Sequence, residues 1–233
     1  MKPADLLFTQ GFGTRRECAA LVASGCLDVE GIGVVDDFDR VLDVGGGLWF
    51  RVRGGPRWPY RERALIVMNK PAGYECSQKP RHHPSVYSLL PGPLRQRGVQ
   101  AIGRLDEDTT GVLLFTDDGA LVHRLTSPKH HVAKVYEVTC KHAVDAVQID
   151  RLRAGVLLHD DDQTVRAAAC EAKGERTLRL TLVEGKYHQV KRMIAAVGNR
   201  VDALERSAFG RLRADGLAHG AWRWADAETD LSA

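Results

Sequence analysis

The chain has 233 residues, 44% of them hydrophobic, and 33 basic against 30 acidic side chains leave a formal charge of +3. That length suits one medium domain or a small domain joined to a larger one, and the net charge is too small to establish a nucleic-acid partner. Five cysteines without a CxxC spacing argue against a disulfide framework and a structural zinc site. No stretch reads as a signal-peptide core or a membrane span, so a reducing cytoplasm and no membrane partner are expected.

Residues 1–53 read as a small α+β unit. Thr14 and Glu17 fit a capping box, with Thr14 as N-cap and Glu17 reaching back to it. Cys18, Leu21 and Val22 make an apolar stripe, and Gly25 ends the predicted helix. Leu27 and Val29 start a short strand that closes in a turn at Glu30-Gly31. Residues 54–63 hold two glycines and two prolines and are expected to be a linker without a regular element. A second α+β domain is expected over 64–233. Its strands are predicted at 64–69, 112–116, 132–140, 165–171 and 176–183, and its helices at 118–126, 144–153 and 187–197. The run His159-Asp160-Asp161-Asp162 reads as a solvated hairpin turn. The absence of regular βαβ alternation and of a glycine-rich phosphate loop disfavours a doubly wound nucleotide-binding fold.

Local charge is more telling than the total. Arg51, Arg53, Arg57, Arg61 and Arg63 face a single acid, Glu62, within residues 51–63. Lys79, Arg81, Arg95, Arg97 and Arg104 occur in residues 79–104, where there is no acid. Such clusters collect phosphate contacts. The pairs His82-His83 and His130-His131 lack metal-ligand spacing, so no metal is expected.

The run Gly103-Arg104-Leu105-Asp106-Glu107-Asp108-Thr109-Thr110-Gly111 places three acids and two threonines between glycines, with an arginine two residues before the first acid. A connecting loop needs no such arrangement, whereas a loop that presents one carboxylate to a substrate suits it. Glu107, Asp108 and the threonines read as satisfying the loop backbone. Asp117 and Asp118 read as caps of the following helix. In strand 132–140, Val132, Lys134, Tyr136, Val138 and Cys140 share a face. In helix 187–197, Val190, Met193, Ile194 and Val197 form the core stripe, which leaves Lys191 and Arg192 off it in the early turns.

The Asp106 run resembles the signature of the RNA pseudouridine synthases, in the branch that modifies small-subunit ribosomal RNA. The resemblance extends, in the family's order, to Met68-Asn69-Lys70-Pro71-Ala72-Gly73-Tyr74-Glu75-Cys76-Ser77, to Thr126-Ser127-Pro128-Lys129-His130-His131-Val132-Ala133-Lys134-Val135-Tyr136, and to Glu184-Gly185-Lys186-Tyr187-His188-Gln189-Val190-Lys191-Arg192-Met193. It implies an α+β pseudouridine synthase fold with a mixed, largely antiparallel sheet, preceded by a small S4-like RNA-binding domain. It implies that Asp106 is the catalytic aspartate, that Tyr136 stacks on the target base, and that Lys191, or Arg192 in its place, pairs with Asp106. Arg104 would fill the space of a flipped base or hold its phosphate. Lys134 and His130 would face RNA, as would Arg15 and Arg16 in the first unit. Leu180 or Leu182 would form an apolar wall. The first unit departs from the family pattern, with Cys26 where a basic residue is usual and Glu30 where an asparagine is. The implied enzyme is a monomer without cofactor or metal, acting on small-subunit ribosomal RNA or an assembly intermediate at uridine 516.

Overall fold

A computed structural model describes residues 1–158, 163–227 and 230, and the predicted turn at 159–162 lies outside the described residues. The chain divides into two compact units, Met1–Ala64 with Leu90–Val99, and Leu65–Leu89 with Gln100–Ala233.

The first unit opens with helices α1 (Pro3–Thr9) and α2 (Arg15–Ala23). Thr14 and Glu17 close the capping box at the start of α2. At its end Gly25, at φ 60°, donates to the Val22 carbonyl while Cys26 donates to that of Leu21, a Schellman ending that needs a left-handed residue. Strands β1 (Leu27–Val29), β2 (Gly33–Val35), β3 (Trp49–Val52) and β4 (Trp58–Pro59) form an antiparallel sheet in the order β2-β1-β3-β4. Strand β4 corrects the expectation of a linker free of regular structure. A proline is tolerated there because β4 is an edge strand and needs no second row of ladder bonds. Helix α3 (Gly92–Gln96) belongs to this unit, in a segment Leu90–Val99 that returns to it after residues 65–89 have run through the second unit. Arg97 ties it in by donating to the Gln10 side chain and to the carbonyls of Arg61 and Glu62. A contiguous domain from residue 64 onward does not include this excursion.

The second unit is built on strands β5 (Leu65–Lys70), β6 (Gln100–Ile102), β7 (Thr110–Thr116), β8 (Lys134–Cys140), β11 (Ala169–Ala172), β12 (Thr177–Leu182), β13 (Val201–Phe209), β14 (Leu212–Arg213) and β15 (Trp222–Trp224). Seven of them run in the order β11-β12-β8-β13-β7-β5-β15, with β14 paired to β13 and β6 to β7. Only the β13–β7 pair is parallel, so the sheet is mixed and largely antiparallel. A separate hairpin pairs β9 (Val156–Leu157) with β10 (Thr164–Val165). The strand predicted at 165–171 is therefore two pieces in two sheets. Helices α4 (Gly119–Thr126), α5 (Ala146–Ala154) and α6 (Gln189–Ala196) occupy the predicted places. Asp118 caps α4 by accepting from Ala120 and Leu121. Leu65, Val67, Val112, Leu114, Leu121, Leu125 and Phe209 are among the residues of a core between the sheet and α4.

The parallel β13–β7 pair depends on Gly111. Its φ is 98°, and a Cβ there would lie 2.3 Å from the Arg206 carbonyl oxygen. Only glycine lets the two backbones approach so closely.

Candidate active site

The Asp106 run is the connection from β6 to β7, and its shape is fixed from below. Lys70 ends β5 with its side chain fully buried, and its ammonium donates to the carbonyls of Pro71, Glu107 and Thr109 at 2.9, 3.2 and 2.9 Å. Three carbonyls match the three ammonium donors, which is how a buried lysine is tolerated. Burial pushes its pKa down, against the pull of Cys76 and the three nearby acids. Gly73 also donates to the Glu107 carbonyl at 2.7 Å. The loop backbone is thus held by main-chain and lysine donors, and its carboxylates are left for other partners.

Asp106 receives two of those partners from the start of α6. Lys191 Nζ lies 3.1 Å from Asp106 Oδ2, and His188 Nε2 lies 3.2 Å from Oδ1. Lys191 also reaches both oxygens of Asp108, at 2.7 and 2.9 Å. Asp108 also accepts from its own backbone, as its reading as a loop-satisfying residue expects, and in addition its side chain shares the Lys191 ammonium with Asp106. Burial lowers the Lys191 pKa but is outweighed by the bonds to Asp108 and Asp106, so the ammonium is held above its ordinary value. The Asp108 carboxyl is likewise depressed, with burial raising it and Lys191 overriding that effect. Arg192, the alternative partner, points elsewhere and donates to the Tyr187 carbonyl at 3.1 Å.

His188 was not singled out by the sequence. It precedes α6 in a left-handed conformation, φ 47° and ψ 33°, and its ring stacks on Tyr187 at 3.8 Å. A non-glycine residue at positive φ is uncommon, and here that turn delivers the imidazole to Asp106. The segment before it is fixed by Gln189, which is buried, accepts from the Lys186 backbone and donates to Glu184 at 2.7 Å. The only available sequence signal was the adjacency of His188 to Lys191 at a helix start.

A cleft of about 210 Å³ lies beside Asp106, lined by Arg104, Tyr136, Lys134, Leu182, His188, Lys191 and Arg206 among others. Lys134 and Tyr136 enter from the same face of β8, as the period of two requires. Tyr136 is buried in its strand, and Lys134 donates to the Val132 carbonyl at 3.0 Å. Leu182 forms the apolar wall, whereas Leu180 is core opposite Tyr136 in the β12–β8 register. Arg104 is exposed at the rim and has no partner among the described residues. His130 is exposed in the turn Pro128–His130 and does not line the cleft, and neither does Arg192. Arg206, a buried arginine of the cleft, was not anticipated.

In the first unit Arg15 pairs with Asp5 at 3.0 Å and covers the Phe8 ring, while Arg16 is exposed. Glu30 binds Arg57 through two bonds of 2.7 and 3.1 Å, and Arg57 stacks over Trp49. The acid at the family's asparagine position is therefore neutralised, and Arg57 is withdrawn from the set of free phosphate donors. Among the described residues no group of three or more His, Cys, Asp or Glu side chains converges as a metal site would require, and no helix is long and apolar enough to cross a membrane.

A cleft that holds the Asp106 carboxylate between two donors, beside an aromatic ring and a basic rim, suits an uncharged ring on a charged backbone. Comparisons with known proteins agree. The family model described as RNA pseudouridylate synthase matches residues 64–196. The ribosomal small subunit pseudouridine synthase A of Escherichia coli K12 is 43% identical over 170 residues, 72% of this chain and 70% of that protein. An RNA pseudouridine synthase of Bacillus subtilis, YtzG, is 39% identical over 229 residues, 96% of this chain and 94% of that protein. A solved pseudouridylate synthase, 30% identical, superposes with a TM-score of 0.68 over 98% of this chain and 97% of its own.

Proposed function

The chain belongs to the RNA pseudouridylate synthase family and is an RNA pseudouridine synthase, and we propose that its substrate is a uridine of small-subunit ribosomal RNA, uridine 516. The support for that substrate is the likeness to the small-subunit enzymes over 72% of the chain. The observation that carries the assignment of the chemistry is Asp106 in the cleft, between Lys191 and His188, with Tyr136 lining the same cleft.

Pseudouridine forms when the bond from ribose C1′ to base N1 breaks, the base turns, and C5 takes the place of N1. Nothing is oxidised or reduced, and no atom is gained or lost overall. Asp106 engages the sugar, either by attacking C1′ or by taking the proton from C2′. Lys191 sets a point charge 3.1 Å from the Asp106 carboxylate, without the bidentate fork an arginine would form. Tyr136 supplies a flat face that holds uracil without fixing its rotation. A paired uridine cannot reach this cleft, so the base must flip out at a cost of roughly a few kcal/mol, and Arg104 at the rim is free to fill its place or hold its phosphate. Hydrolysis of a glycosidic bond would call for a second carboxylate to activate water; Asp108 is tied by both oxygens to Lys191, and Glu184, which lines the cleft, accepts from the Gln189 side chain.

The test is to incubate unmodified small-subunit RNA with the protein and map pseudouridine across it. A single new pseudouridine at position 516 is expected. Modification only elsewhere would refute the target, and release of free uracil would refute isomerisation.

A further inference from the structure

Arginine stays charged in any protein environment, and burying its guanidinium without an acid is costly. Arg206 stands in the middle of β13 and is 2% exposed, yet it lines the cleft. Its Nε donates to the Val112 carbonyl at 2.8 Å, while Nη2 is buried and meets no acceptor. Among the described residues no carboxylate pairs with it. The guanidinium sits 5.3 Å from the Phe209 ring centre, and the Lys134 ammonium lies 5.4 Å from the same ring. Lys134 also lacks an acidic partner and bonds a carbonyl. Burial and then the charge of Arg206 both push the Lys134 pKa down, with Glu184 opposing them. The cleft floor therefore holds two cations without an ion pair to an acid among the described residues, and Glu184, which also lines the cleft, offsets only part of the charge at Lys134.

The missing counter-charge belongs to what enters the cleft. In the β13–β8 register Arg206 lies directly opposite Tyr136. Directly opposed residues of an antiparallel pair share a face with their side chains adjacent. Whatever ring lies on Tyr136 is thus within reach of Arg206. A backbone phosphate is a poor match, because phosphates stay near water and Arg206 is at the floor, whereas Arg104 is exposed at the rim. A base that becomes anionic during the reaction is a good match.

We propose that Arg206 takes up the negative charge of the uracil ring when its bond to the sugar breaks, a role that rests on reading this cleft as a pseudouridine-forming site. The C1′–N1 electron pair leaves with the base and spreads onto O2 and O4. If Asp106 attacks C1′, its negative charge is spent in the new C1′–O bond. If it takes the C2′ proton, a C1′=C2′ double bond forms. In both cases one negative charge moves from Asp106 to the ring, from the Lys191 side of the cleft to the Arg206 side. C5 then bonds C1′, the C5 hydrogen leaves as a proton, N1 gains one, and Asp106 is released or returns its proton to C2′. Arg206 stabilises the separated ring on either route.

The experiment compares single-turnover consumption of two small-subunit RNA fragments that differ only in carrying uridine or 5-fluorouridine at the modified position. Fluorine withdraws electrons and stabilises the departing ring without help from the protein. Arg206→Met is expected to slow the uridine RNA about 100-fold, the scale for losing one preorganised donor to a developing charge. The loss on the fluorinated RNA should be about tenfold smaller, with RNA affinity nearly unchanged. Arg206→Lys should show a milder loss on uridine and the same narrowing on fluorouridine, and it carries the test should the Met variant not fold. Equal losses on the two RNAs, a loss seen only as weaker RNA binding, or wild-type rates would each overturn the role of Arg206. Failure of the wild-type protein to consume either RNA would instead overturn the reading of the site on which it rests.

Discussion

The charged groups of the second unit's cleft and those of the first unit's surface obey different rules. Around Asp106 one ammonium serves two carboxylates, with side chains 27% exposed for Lys191 and 23% for Asp106, while Asp108 at the outer side is 59% exposed. On the first unit Arg57 and Glu30 also meet at 2.7 Å, but their side chains are 47% and 59% exposed. Geometry is similar and consequence is not. Water screens the surface pair, which costs little to make and contributes little to stability, whereas the cleft network holds its charges in one arrangement where solvent is reduced. Short distances alone therefore do not mark a functional site. Burial, a shared partner and a fixed backbone beneath it do.

The strongest way to break this contrast is to disturb what lies under the cleft. Gly111→Ala forces a Cβ onto the Arg206 carbonyl, and strain of this kind should destabilise the fold by about 3 kcal/mol, read as a lower urea midpoint. A midpoint equal to wild type would show that the two strands can move apart. Next in size, Lys191→Met should lower the single-turnover rate about 100-fold while RNA affinity changes little. Retention of the rate would mean that Asp106 needs no cation beside it. Arg57→Ala, on the surface, should cost about 1 kcal/mol or less from the ion pair and its ring contact together. A loss as large as that of Gly111→Ala would place Arg57 among the structural groups. Arg15→Ala and Arg16→Ala should each flatten the log–log salt dependence of RNA binding by about one unit while the rate at saturating RNA stays constant. An unchanged slope would remove the first unit from RNA contact.

The smallest effect concerns pH. The Glu75 carboxylate accepts from the backbones of His83, His82 and Arg81, which depress its pKa to about 2 from an ordinary 4.5. A depressed carboxyl stabilises the fold above its unfolded pKa and loses that contribution as pH falls through 4.5 toward 2. The order of the Arg81–His83 turn should thus persist from pH 8 to about 5 and fade below, followed by the amide proton shifts of those three residues. A turn whose order is unchanged from pH 8 down to about 2 would show that the Glu75 carboxylate does not hold it.

Much of this was legible in sequence because it rested on local rules. The Thr14–Glu17 box, the Gly25 ending, the Asp118 cap and the alternation of β8 each depend on residues a few positions apart. What escaped depended on distant partners. Strand β13 is the longest among the described residues, but Glu205 and Arg206 interrupt its apolar pattern, and only the fold shows that Arg206 turns inward. Lys70 is buried only because three carbonyls from Pro71, Glu107 and Thr109 converge on it. Segment 90–99 joins the first unit through Arg97 and Gln10, residues 87 positions apart. His188 depends on one backbone conformation that its residue type does not favour.

The most direct test of the account is Asp106→Asn in the full chain, with single-turnover pseudouridine formation and RNA affinity measured on the same small-subunit RNA. The substitution keeps the shape and removes the charge that engages the sugar. A rate below about a hundredth of wild type with affinity preserved is the predicted result. A variant that still forms pseudouridine faster than that, on RNA it binds normally, would contradict Asp106 as the essential group.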